Sequence, residues 1–140
     1  MDGGPAPEGI EKAAGPRFPV GAKVTLEANH MQGMKDAPAT ISGAFTTTAY
    51  AVDYTPTDGR PEVEDHKWVV QEELPDAGEQ PLEVGDTAVM TADHMPGMKG
   101  ATAKVAQVWT GTVYMVDYQA DGMTMTNHKW VVEDEIRPAN

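Results

Sequence analysis

The chain has 140 residues, a formal net charge of −12 and no cysteine. An acidic surface repels phosphate backbones, so we expect no nucleic-acid partner. No stretch approaches the ~20 consecutive apolar residues that a membrane-spanning helix needs. Without cysteine, neither a disulfide nor a thiolate metal site can form. A site for a soft metal would therefore have to be built from methionine and histidine.

The first residues carry few signals of structure or targeting. Residues 1–19 contain four prolines and four glycines, a composition that predicts a disordered tether. Residues 1–8 lack the basic start and the apolar run of a signal peptide, and we expect the chain to begin after a removed leader. A thioether site tolerates oxidising surroundings better than a thiolate site, so the lack of cysteine favours an extracytoplasmic location.

Two copies of one unit follow the tether. Under a shift of 64 residues, His30–Tyr54 aligns without a gap with His94–Tyr118. After two extra loop residues in the first copy, the alignment resumes with His-Lys-Trp-Val-Val, which starts at His66 and again at His128. Such self-similarity is the signature of a repeat. The predicted segments are a first repeat at 20–74, a linker at 75–83 and a second repeat at 84–137.

Each repeat has the pattern of a small all-β unit. Short runs rich in β-branched and aromatic residues alternate with Gly, Pro and Asp, which is typical of strands and turns. Four or five strands in a unit this short is the scale of an SH3-like barrel, so we predict two tandem SH3-like barrels. The predicted strands lie at 20–28, 39–45, 49–54 and 67–70 in the first repeat and at 87–91, 103–109, 113–118 and 129–132 in the second.

The motif His-Met-x-Gly-Met-Lys occurs in both repeats, at 30–35 (the first loop) and at 94–99 (the second loop). Each copy supplies one imidazole and two thioethers, donors that suit Cu(I). Gly33 permits a tight turn with positive φ, which would bring the second methionine back beside the histidine. The alternative is that the methionines only fill the core. The candidate ligands are His30, Met31, Met34, His94, Met95 and Met98.

Other residues of the repeats could complete or shield these sites. His66 and His128 are candidate second imidazoles for the loop of their own repeat, or histidines hydrogen-bonded within a turn. Trp68 and Trp130 are most simply core anchors. The second repeat also has methionines that the first lacks, so its site is expected to be richer in sulfur: Met115, Met123 and Met125.

No catalytic constellation appears in the sequence, so we expect no enzyme. A cysteine nucleophile, a Gly-x-Ser-x-Gly motif and a phosphate-binding loop are all missing. The rival to a copper-binding protein is a cell-wall or protein-interaction module. Its aromatic groove would consist of Tyr50, Tyr54, Trp68 and their counterparts in the second repeat.

From Val20 to Ile136 the chain resembles the YdhK-type family of bacterial surface proteins. The resemblance rests on the two loops, on Tyr-x-Val-Asp-Tyr and on His-Lys-Trp-Val-Val. It implies an extracellular copper-binding protein that limits metal toxicity. Family members are typically lipoproteins of Gram-positive bacteria, so it also implies a lipid anchor on the native N-terminus. The lipidated cysteine of such an anchor is not in this sequence.

Overall fold

The structure is a computed structural model that describes residues 2–31, 33–120 and 122–139. Across these residues, eight strands form one antiparallel sheet that does not close on itself. The predicted all-β fold class is therefore confirmed, whereas closure into SH3-like barrels is not confirmed. Within the described ranges, no helix is long and apolar enough to cross a membrane.

The strands are connected by loops and by short 3₁₀ turns. The 3₁₀ turns lie at Gln71–Glu73, Pro75–Ala77 and Glu133–Glu135. In chain order, the strands are β1 (Glu11–Lys12), β2 (Lys23–Leu26), β3 (Pro38–Tyr54), β4 (Val63–Val70), β5 (Thr87–Val89), β6 (Thr102–Ala120), β7 (Met123–Val132) and β8 (Ile136–Pro138).

Two strands are much longer than the sequence predicts. β3 has 17 residues and β6 has 19, whereas a typical strand has about five or six. The sequence predicts two strands in each of these stretches, with a gap at 46–48 and at 110–112. The chain instead continues straight through both gaps. Five of the six gap residues are β-branched threonines, which favour extended backbone, and the sixth is Gly111, so these residues do not specify a reversal.

One compact unit consists of Met1–Ala6, Ile10–Thr46 and Gly111–Asn140. We call it the first-loop unit. In it, β2 pairs with the first half of β3 and with β8, and the second half of β6 pairs with β7. Its core joins side chains of both repeats, among them Leu26 and Ile41 from the first and Tyr114 and Val131 from the second.

The other compact unit consists of Pro7–Gly9 and Thr47–Thr110. We call it the second-loop unit. In it, the second half of β3 pairs with β4, and β5 pairs with the first half of β6. Its core joins Tyr50 and Val69 from the first repeat with Met90 and Val105 from the second.

The compact units therefore differ from the predicted repeats at 20–74 and 84–137. Each unit takes the first half of one repeat and the second half of the other. The cause is the length of β3 and β6, because a strand that continues without a turn carries the second half of its repeat away from the first half.

The predicted disordered tether at 1–19 also differs from the structure. β1 pairs with β3, with Glu11 opposite Thr46. Phe18 is buried and packs edge-on against Tyr114, with ring centroids 5.8 Å apart. The proline and glycine content concealed this single aromatic anchor, which secures the segment to the core of the first-loop unit.

The exchange of halves predicts that a repeat cannot fold as a monomer. Residues 1–83 and 84–140, produced separately, each contain only half of each core. We expect neither fragment to show a cooperative urea transition as a monomer, and we expect an equimolar mixture to regain the circular dichroism and the unfolding midpoint of the intact chain. A fragment that is monomeric by light scattering and unfolds cooperatively would contradict the exchange.

Stability should fall at alkaline pH because of the four tyrosines. Burial raises the pKa of Tyr50, Tyr54, Tyr114 and Tyr118 above the ordinary value of 10.0. Once the pH exceeds that value, the unfolded chain binds fewer protons than the folded chain, so the free energy of unfolding decreases as the pH rises. Urea unfolding between about pH 8 and pH 11 measures this. We expect a plateau and then a decline, which should be shallower in Tyr54→Phe; a curve that is flat throughout would contradict the prediction.

Candidate metal centre

The first loop contains two consecutive tight turns. Met34 N–H donates to the carbonyl of Met31 at 3.1 Å, and Ala37 N–H donates to the carbonyl of Met34 at 3.0 Å. Gly33 occupies the third position of the first turn with φ 81°. A type II turn needs positive φ at this position, which favours glycine. The turn predicted at Gly33 is therefore present.

The second loop repeats this geometry and is held by a neighbouring loop. Met98 N–H donates to the carbonyl of Met95 at 3.2 Å, and Gly97 has φ 80°. Thr57 N–H donates to the carbonyl of Gly97 at 2.9 Å. A Cβ atom at Gly97 would lie 2.8 Å from Oδ1 of Asp58, so the close approach also requires glycine. The longer loop of the first repeat thus supports the second loop.

The two methionines of each motif lie in different environments. Met34 and Met98 are fully buried, each in the core of its unit. Met31 is half-buried, and Met95 is 36% exposed. The turn therefore directs the second methionine into the core, and packing alone accounts for its position. The first methionine of each motif is the one nearer to solvent.

The histidine of the second loop forms a nearly buried pair with a glutamate. His94 Nε2 lies 2.7 Å from Oε2 of Glu73, with 11% and 6% of the two side chains exposed. The other ring nitrogen of His94, Nδ1, is buried and has no hydrogen-bond partner among the described residues. A buried nitrogen in this condition can accept a proton donor or a metal ion.

A second imidazole lies beside His94. The ring of His66 has its centroid 6.1 Å from that of His94 and packs edge-on against Tyr54, with centroids 6.0 Å apart. The sequence suggests that His66 joins the loop of its own repeat. The structure instead brings His66, from the first repeat, to the loop of the second repeat, because the two halves of the repeats are exchanged.

The first-loop unit has the corresponding arrangement. His30 Nε2 lies 2.5 Å from Oε2 of Glu135. The sulfur of Met31 lies 4.0 Å from the hydroxyl of Tyr118, whose ring packs edge-on against His128 with centroids 5.5 Å apart. His128 of the second repeat thus shares a tyrosine neighbour with the first loop. Here too, the candidate second imidazole comes from the other repeat.

Aspartate side chains fix the backbone just before these second imidazoles. Asp53 Oδ1 accepts the N–H of Asp65 at 2.8 Å, and Asp117 Oδ1 accepts the N–H of Asn127 at 2.8 Å. Asp65 and Asn127 have positive φ, 51° and 50°, and each directly precedes a candidate histidine. The two aspartates therefore bind backbone N–H groups and help to position His66 and His128.

The additional methionines of the second repeat lie in the first-loop unit. Met115 is buried, Met125 pairs with Tyr118 across β6 and β7, and Met123 is 53% exposed. All three belong to the segment Gly111–Asn140. The expectation that they enrich the site of the second loop is wrong, because the exchange carries them to the unit of the first loop.

Sequence reasoning missed Glu73 and Glu135. Glu73 is only 4% exposed. A signal was available, since each glutamate stands at the third position after the Val-Val pair that ends a repeat's last long strand. An acidic residue kept at one register in both repeats indicates a shared contact.

The aromatic groove expected of an interaction module is not exposed. Tyr50, Tyr54 and Trp68 are at most 5% exposed, and their counterparts in the second repeat are at most 4% exposed. Trp68 and Trp130 are therefore core residues, as the sequence predicts, and Trp130 packs edge-on against Phe45 at 5.9 Å. These side chains offer no surface for a peptide or a glycan.

Comparison with known proteins places the repeats in one family. The family model described as "Protein of unknown function (DUF1541)" matches residues 20–71 and 84–133. A Bacillus subtilis (strain 168) relative, described as "Uncharacterized protein YdhK", is 51% identical over 132 residues. The match covers 93% of this chain, and the chain spans 64% of that relative's length.

Solved structures of YdhK have the same fold. A crystal structure of the Bacillus subtilis protein at 2.00 Å resolution matches with a TM-score of 0.95 and 48% identity, over 97% of this chain and 94% of that chain. A solution NMR structure of the YdhK C-terminal domain matches with a TM-score of 0.82 and 51% identity, over 86% and 93% of the two chains.

The different environments of the second-loop methionines predict different effects on stability. Met98→Ala should lower the free energy of unfolding by about 2–5 kcal/mol because it leaves a cavity in the core. Met98→Leu should cost less than about 1.5 kcal/mol because it nearly conserves volume. Met95→Ala, at a more exposed position, should change it by about 0.5 kcal/mol or less. Urea unfolding measures all three; equal losses for Met95→Ala and Met98→Ala would contradict the assignment of Met98 to the core.

Proposed function

The chain belongs to the DUF1541 family, and from the paired imidazoles beside its second loop and the matching residues around its first loop we propose that it binds copper as Cu(I) outside the cytoplasm and contributes to copper tolerance. Each compact unit would hold one ion. The ligands proposed for the second-loop unit are His94, Met95 and His66. Those proposed for the first-loop unit are His30, Met31 and His128.

The observation that carries the proposal is the relation between His66 and His94. A metal bound to a ring nitrogen at about 2.0 Å lies about 3.2 Å from the ring centroid, so two imidazoles on one ion have centroids at most ~6.4 Å apart. The observed separation is 6.1 Å. His94 also has a buried Nδ1 without a hydrogen-bond partner among the described residues, which a metal ion would satisfy.

The nature of the remaining donors favours copper. Within the described ranges, no group of three or more His, Asp or Glu side chains is arranged to hold a metal ion, and the third ligand that we propose is the thioether sulfur of the loop. Met95 directly follows His94, and Met31 directly follows His30. A set of imidazole and thioether donors suits Cu(I) better than a hard cation. Met98 and Met34 would form the apolar wall behind the ion.

The proposed location and physiological role follow from chemistry and from the family resemblance. Thioether ligands can still bind a metal ion under conditions in which thiolates would oxidise, which favours a site outside the cytoplasm. The net charge of −12 raises the local concentration of cations at the surface. A lipid anchor on the native N-terminus would keep the copper sites at the cell surface, next to the cell wall.

Titration with Cu(I) against a competing chelator tests the proposal and its pairing of histidines. We expect two equivalents for the natural sequence. His94→Ala and His66→Ala should each remove the same equivalent, and the double variant should lose no more than either alone, because both ligands belong to one site. His128→Ala should remove the other equivalent.

Met98→Leu is the matched control, since it replaces a buried thioether and should retain both equivalents. The proposal fails if the natural sequence takes up no more copper than a variant in which all four histidines are alanine. The pairing fails if the losses from His66→Ala and His94→Ala add up.

A further inference from the structure

Each loop histidine contacts a glutamate from the end of the other repeat. We infer that Glu73 and Glu135 are positioning residues, which hold the proton of His94 and His30 on Nε2 so that Nδ1 faces the metal with its lone pair. The inference rests on the proposed function. It adds which nitrogen binds the ion and which residues set that choice.

Hydrogen bonds to both the side chain and the backbone of Glu73 fix the position of its carboxylate. Its Oε1 accepts the N–H of Val70 at 3.0 Å, closing the 3₁₀ turn at Gln71–Glu73. The backbone carbonyl of Glu73 accepts the N–H of Thr91 at 2.9 Å and the Thr91 hydroxyl at 3.2 Å, which connects the turn to the strand leading into the second loop. Oε2 is thereby directed at His94.

This contact selects one tautomer of His94. An ionised carboxylate has only acceptors, so the nitrogen facing it must carry a proton. A neutral imidazole carries one ring proton, so Nδ1 is left with a lone pair. That atom is buried without a hydrogen-bond partner among the described residues, a condition that costs stability until something binds there. A carboxylate that holds the outer nitrogen of a metal-binding histidine is a recurrent arrangement in metal sites.

Glu135 makes the corresponding contacts in the first-loop unit. Its Oε1 accepts the N–H of Val132 at 3.0 Å, and its backbone carbonyl accepts the N–H groups of Glu27 and Ala28 at 2.7 and 3.1 Å. Its Oε2 contacts His30 Nε2. The same device therefore occurs in both units, each built from the two repeats.

The substitution Glu73→Gln keeps the shape of the side chain but exchanges the donor and acceptor roles in its contact with His94. Because Val70 N–H must still meet an acceptor, the amide oxygen stays on that side and the amide NH₂ faces His94. Nε2 then has to accept, and the proton moves to Nδ1. Two-dimensional ¹⁵N NMR of the metal-free protein at about pH 8 reports which ring nitrogen carries the proton. We expect Nε2–H in the natural sequence and Nδ1–H in the variant.

Copper binding should change at one site only. We expect Glu73→Gln to weaken Cu(I) binding at the second-loop site by about 10–100-fold and to leave the other site unchanged. Glu135→Gln should do the converse. Glu79→Gln removes the same charge at an exposed position and should alter neither the tautomer nor the affinity.

The outcomes separate this inference from the proposed function. A natural sequence with His94 protonated at Nδ1 overturns the inference, and so does a variant whose tautomer changes while copper binding does not. If the natural sequence binds no copper, the proposed function fails, and so does the assignment of His94 Nδ1 as a metal ligand. The NMR result still decides whether Glu73 sets the tautomer. If Glu73→Gln does not fold, the natural tautomer and Glu135→Gln decide the question.

Discussion

The absence of a chain reversal in the middle of β3 and β6 determines the rest of the structure. A small barrel buries its core when a strand turns back on its predecessor, and here the threonine-rich middle of each repeat stays extended instead. The two halves of a repeat then cannot share a core. Each half finds its complement in the other repeat, where the matching strands carry apolar residues at corresponding positions, so the chain still buries its apolar surface although neither repeat closes on itself.

The exchange of repeat halves also determines which residues meet at the candidate metal centres. A loop from one repeat meets the strand and the 3₁₀ turn of the other, so both pairs of loop histidine and glutamate join residues of different repeats, 105 residues apart in the first-loop unit and 21 in the second-loop unit. Burial of such a pair is favourable only when the carboxylate has further hydrogen bonds. Glu73 meets that condition through Val70 N–H, and its backbone carbonyl binds Thr91 as well. The turn that ends one repeat therefore also orders the loop that begins the site.

Much of the local structure could be predicted from the sequence, because it depends on neighbouring residues. The turn at Gly33 and the buried tryptophans both follow from short-range chemistry. The exchange could not be predicted, because strand pairing within a repeat and between repeats buries the same residue types. Phe18 was missed for a related reason: composition averages over a segment, whereas a single aromatic side chain can order it.

Duplication of the motif does not make the two centres equivalent. The second loop is supported by the longer loop of the first repeat, through Thr57 and Asp58 against Gly97. The first-loop unit instead contains the extra methionines, with Met125 paired to Tyr118 and Tyr118 in contact with Met31. Among the described residues, one centre thus has a backbone contact from a neighbouring loop, and the other has more polarisable sulfur nearby. Since backbone order lowers the entropy lost on binding and sulfur adds soft donors, two ions bound by the same motif would experience different surroundings.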